Sequence, residues 1–62
     1  MKAYEVIALE KKKRGITLAE LARRVGMDDE LLRRSLNGHR KLRADEFIRL
    51  CLELGLALGD FS

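Results

Sequence analysis

The chain has 62 residues, 47% of them hydrophobic and 37% charged, with a net charge of +3, one cysteine, one histidine and no proline. At this length folding removes only about 60% of the unfolded chain's surface from water, which predicts one small domain, residues 1–62, of marginal stability. The lone cysteine excludes a disulfide framework, and Cys51 with His39 is too little for a metal site of ordinary spacing, so neither metal nor cofactor is expected. No run approaches the roughly 18–20 apolar residues that span a bilayer, and Glu5 and Glu10 interrupt any signal-like stretch. A cytoplasmic protein with no membrane association is the expectation.

The charge is unevenly placed. Residues 1–27 hold seven basic and three acidic groups, residues 28–43 five and three, and residues 44–62 one and four. A basic front with an acidic tail points to an anionic partner for the first two thirds of the chain.

A first helix is predicted from about Lys2 to Arg14, where Gly15 stops it behind the cations Lys11, Lys12, Lys13 and Arg14. Tyr4, Ile7, Ala8 and Lys11 share one face, and Val6 and Leu9 lie off it, available to a second surface. A second helix starts at Thr17, an N-cap with Glu20 three residues on, the spacing of a capping box. Leu18, Leu21, Ala22 and Val25 form its inner face, and Gly26 supplies the turn.

The third helix opens on Asp28, with Asp29 and Glu30 in the first turn where the helix dipole is positive. Leu32 and Leu36 face inward, Arg33 and Arg34 outward, and Asn37-Gly38 ends it. A fourth helix is expected from Ala44 to Leu54, with Phe47, Ile48, Leu50, Cys51 and Leu54 apolar and the Cys51 thiol buried. Leu56, Leu58 and Phe61 suggest a final turn covering the core. The predicted fold is all-α, a compact bundle of four to five short helices without strands.

Helices two and three, joined by the short turn Val25-Gly26-Met27, have the layout of a helix-turn-helix spanning about residues 17–37, whose second helix enters the DNA major groove. The run GITLAELARRVGM from Gly15, NGHRKL from Asn37 and DEFIRLCLELG from Asp45 resemble the lambdoid phage repressor and Cro-type (XRE-like) helix-turn-helix family over about residues 4–61. The resemblance implies base reading from Asp28, Asp29, Glu30, Arg33 and Arg34. It implies phosphate contacts from Arg14, Thr17 and Leu18, and from Asn37, Gly38, His39, Arg40 and Lys41.

Two departures stand out. Leu18 occupies a position where the family often has a glutamine phosphate donor. Asp28-Asp29-Glu30 stand where it usually has Ser, Thr, Gln or Arg. The acids have two readings: helix capping with ion pairs to Arg33 and Arg34, or acceptance of a hydrogen bond from cytosine N4 by Asp29 or Glu30.

The leading function is therefore a sequence-specific double-stranded DNA-binding regulator, a repressor acting as a homodimer on a pseudo-palindromic operator. Val6, Leu9, Leu56, Leu58 and Phe61, with Leu52, are the candidate dimer surface. The alternative is a protein-interaction module on the same fold, with a protein partner and weak or lost DNA binding. An enzyme is not expected: Ser35 has no partner base, and no Gly-rich phosphate loop is present.

Overall fold

The computed structural model describes residues 1–61; Ser62, the last residue of the expected domain range, lies outside it. Four α-helices follow in order, α1 (Ala3–Lys13), α2 (Leu18–Val25), α3 (Asp29–Leu36) and α4 (Ala44–Leu54), then a 3-10 turn at Leu58–Phe61. The described residues contain no strand and fill a volume of 27 × 22 × 18 Å.

Each helix begins and ends for a local reason. The Asp28 carboxylate caps α3 by accepting from the backbone N–H groups of Glu30 and Leu31 at 3.0 and 3.2 Å. Thr17 Oγ1 accepts from the Glu20 N–H at 3.1 Å, but the capping box forms only in half. The Glu20 carboxylate turns to Arg23 and Arg24 instead of back to Thr17, because two guanidiniums offer stronger charge-assisted donors than one amide. At the other ends all four helices close with the same pair of backward hydrogen bonds; at α3, His39 N–H reaches the Arg34 carbonyl at 2.8 Å and Gly38 N–H the Ser35 carbonyl at 3.1 Å. Gly38 is required there twice over. Its φ is +81°, and a Cβ would lie 2.6 Å from the Tyr4 hydroxyl oxygen.

The core is drawn from every helix: Ile7 from α1; Leu21, Ala22 and Val25 from α2; Leu32 and Leu36 from α3; Leu50 and Leu54 from α4. Ala22 is fully buried, as a small residue must be where two helices approach closely. Phe47 and Phe61 pack at the edge with ring centroids 5.1 Å apart and planes tilted by 55°.

Two expectations about the last third of the chain, on Leu58 and Cys51, are corrected. Leu58 does not cover the core; the chain bends after Gly55 so that Phe61 turns in and Leu58 is 87% exposed. Ile48 is exposed on the outer side of α4, four residues from exposed Leu52. Cys51 is half-buried, its thiol pushed upward from the ordinary range by burial and by the Asp60 charge. The turn between α2 and α3 is also one residue later than predicted, Gly26–Asp28, since Val25 completes α2.

Candidate nucleic-acid interface

The outer face of α3 follows from which residues the core consumes. Leu32, Ser35 and Leu36 are buried, leaving Asp29, Glu30, Leu31, Arg33 and Arg34 exposed with Asn37 just beyond. Glu30, Arg34 and Asn37 recur at i, i+4 and i+7, along the middle of that face. Leu31, not singled out in the sequence, also stands on this helix with 40% of its surface exposed. An exposed apolar side chain here can meet a thymine methyl.

Arg33 and Arg34 are not equivalent. Arg33 Nε donates to Glu30 Oε1 at 3.1 Å and its Nη2 donates to Oε2, a two-pronged pair one helical turn long. Hydrogen bonding from Arg33 holds the Glu30 carboxyl below its usual range. Arg34 has no carboxylate partner. Of the eight arginines in the chain, it alone among the described residues is unpaired. Asp29 is likewise without an ion pair among the described residues, on the positive end of α3.

The expected phosphate donors separate in the same way. Asn37, Gly38, His39 and Lys41 are exposed in the loop leaving α3, and Lys41 carries no ion pair among the described residues. Arg40 is turned inward. Its guanidinium donates to both Glu46 oxygens at 3.0 and 3.1 Å and to Ser35 Oγ at 3.0 Å, which satisfies a buried hydroxyl and a nearly buried carboxylate together. Glu46 also accepts from the Arg43 N–H at 2.8 Å, so one carboxylate ties the middle of the loop to its end. Arg14 is held by Glu10 at 2.7 Å, and its guanidinium lies against Gly55 at the end of α4. Thr17 remains exposed at the start of α2, its hydroxyl proton free beside its capping role.

A further contact positions the motif from behind. Arg49 of α4 donates to the Val25 carbonyl at 2.8 Å, capping α2 where the turn begins, while its other nitrogen pairs with Asp45 at 3.1 Å. Nothing local in the sequence links residues 24 positions apart, so this brace could not be read before folding.

Two short helices, a three-residue turn with a left-handed glycine, and a second helix presenting a polar outer face define a helix-turn-helix domain. The helix-turn-helix family model matches residues 7–61, and the chain belongs to that family, of the XRE and Cro/C1 type. No curated protein and no solved structure matches it. The family is one of DNA-binding regulators, and its partner is double-stranded DNA. Among the described residues no helix is long and apolar enough to cross a membrane, and no cluster of His, Cys, Asp and Glu could bind a metal.

Proposed function

We propose that the chain is a sequence-specific repressor whose α3 enters the major groove, with Arg34 as its principal base-reading side chain. The observation that carries this is the unpaired guanidinium in the middle of the α3 outer face, when every other arginine is engaged by a carboxylate. An arginine free to present two parallel N–H groups matches guanine O6 and N7. Asp29, Glu30 and Arg33 stand beside it as further base-facing groups. Thr17, Asn37, Gly38, His39 and Lys41 flank the groove and bind phosphate. Arg40 and Arg14 are left out of that set, because their guanidiniums are held by Glu46 and Glu10.

Residues 1–62 act as one domain, which covers one half-site, and a two-fold homodimer on a pseudo-palindromic operator supplies the affinity. Two apolar areas near the chain's end support that reading. Val6, Leu9 and Leu56, with Met1, line a shallow depression that they share with Glu10, Lys13 and Asp60. Ile48, Leu52, Leu56 and Leu58, with Phe61, line an adjoining one. Leu56 belongs to both, so the expected surface of Val6, Leu9, Leu56, Leu58 and Phe61 forms a band that extends onto Leu52 and Ile48. A cytoplasmic place of action goes with this role.

The neutralisation of seven of the eight arginines favours a second reading, a protein-interaction module with weak DNA binding. Selection of duplexes from a random-sequence pool at physiological salt separates the two. A motif with two inverted halves about one helical turn apart supports the dimeric repressor. No enrichment, with binding that vanishes on modest addition of salt, supports the interaction module.

A further inference from the structure

The Glu30–Arg33 pair sits on the same outer face as Arg34, yet it neutralises a cation where a DNA-binding surface gains from keeping one. Its geometry suggests what it does instead. The two-pronged contact consumes the Arg33 Nε hydrogen and one hydrogen of Nη2. Both hydrogens of Nη1 and the second of Nη2 remain, and each Glu30 oxygen keeps a free lone pair. The carboxyl is held ionised by its partner, so it can only accept. Both side chains are exposed, and neither has another partner among the described residues. The pair therefore presents an acceptor directly beside donors, in a fixed order set by one helical turn.

The major-groove edge of a C·G pair carries the complementary order, the cytosine N4 donor beside the guanine O6 and N7 acceptors. We propose that Glu30 and Arg33 work as one unit that reads a single C·G pair, Glu30 accepting from cytosine N4 and Arg33 donating to O6 of the guanine opposite. This rests on α3 entering the major groove. An A·T pair offers the adenine N6 donor and thymine O4 in the same order, but it sets the adenine N7 acceptor against the carboxylate and lacks the second acceptor of guanine. A T·A pair turns the O4 acceptor and the methyl group toward the carboxylate, and a G·C pair turns the purine acceptors toward it. Against the phosphate backbone the pair has no net charge, so it adds discrimination without adding sequence-independent affinity. The acids at the start of α3 thus divide their work: Asp28 caps, and Glu30 converts a phosphate-seeking arginine into half of a base-pair reader.

Selection from a random duplex pool with wild type, Glu30→Gln, Arg33→Met and Arg34→Ala tests this, with circular dichroism of each exposed-site variant as a folding control. Expected is a wild-type motif in which one C·G pair per half-site loses roughly tenfold or more of its preference in both E30Q and R33M. The E30Q/R33M double variant loses no more, and R34A alters a different position. E30Q also binds unrelated duplex more tightly with a steeper salt dependence, by about one phosphate contact, because Arg33 is released. If wild type selects a motif and E30Q selects the same one unchanged, the paired reading is overturned and DNA recognition by α3 stands. If wild type selects nothing, both fall together.

Discussion

Arg40 and Glu46 face each other across the loop between α3 and α4 with two parallel hydrogen bonds at 3.0 and 3.1 Å, and the same guanidinium donates to the buried Ser35 hydroxyl. A residue that reads as a phosphate donor in the sequence is thereby the fastening of the loop that carries Asn37, His39 and Lys41. Glu46 is held low in pKa chiefly by Arg40, against the opposing effect of burial. A carboxylate with a depressed folded-state pKa contributes stability that is fully present above its unfolded value, near 4.3, and is lost as pH falls through the folded value. Glu46→Gln is expected to flatten the acid limb of stability against pH below about pH 5. Glu46→Ala strands Arg40 and is expected to cost about 2–3 kcal/mol at neutral pH, a large share of so small a domain's stability. Denaturant unfolding of both variants from pH 3 to 7 checks this. Glu30→Gln, whose pair is on the surface, should change the acid limb little.

Gly38 joins the end of α3 to the start of α1, since its backbone is where the Tyr4 ring rests. Gly38→Ala must place a side chain at φ +81° and displace that ring. The expected loss is about 2 kcal/mol, read from the thermal midpoint. Gly15→Ala carries the first cost without the second, having no atom within 4 Å of its would-be Cβ, and should lose visibly less.

Adjacent acids in α3 should respond oppositely to the same substitution. Asp28→Ala removes two accepted N–H bonds and is expected to destabilise by about 1 kcal/mol. Asp29→Ala removes a carboxylate with no ion pair, costs at most a few tenths of a kcal/mol from the helix dipole, and should tighten DNA binding by relieving phosphate repulsion. Thermal melts and anisotropy titrations of the two variants separate capping from charge.

The apolar band at the chain's end gives a fourth expectation. Leu52 is 77% exposed and adjoins exposed Ile48 and Leu58. Leu52→Glu should leave helicity unchanged, shift sedimentation from dimer to monomer, and weaken binding to a two-half-site duplex far more than to a single half-site. A variant that still sediments as the wild type places the dimer contact elsewhere, with the Val6–Leu9 depression next in line.

How much of this was legible before folding depends on how local each cause is. Helix ends were readable because Asp28, Gly38 and Gly55 act on backbone within a few residues of themselves, and the core was readable wherever a single stripe at 3.6 spacing decided it. The helix-turn-helix followed from those two facts. The candidate site was legible only as a list. Glu30 stands three residues before Arg33 and four before Arg34, both within reach on a helix, and only the helix surface shows it taking the first and leaving the second. Arg40 and Arg14 looked as available as Lys41 until Glu46 and Glu10 were placed against them. Leu58 was expected both in a turn over the core and on a dimer surface, and how the chain leaves Gly55 decides against the first; the Arg49 brace on Val25 is a contact between distant segments that no local pattern encodes.

The most direct test of Arg34 as the reading side chain is anisotropy titration of two labelled duplexes, the one selected from a random pool and a scrambled version, with wild type, Arg34→Ala and Arg34→Lys at physiological salt. Arg34→Ala should raise Kd for the selected duplex tenfold or more and change binding to the scrambled one far less. Arg34→Lys should recover little of the loss, since a point charge cannot replace two parallel donors. An Arg34→Ala protein that binds the selected duplex as tightly as wild type, or weakens equally on both, would contradict base reading from this position.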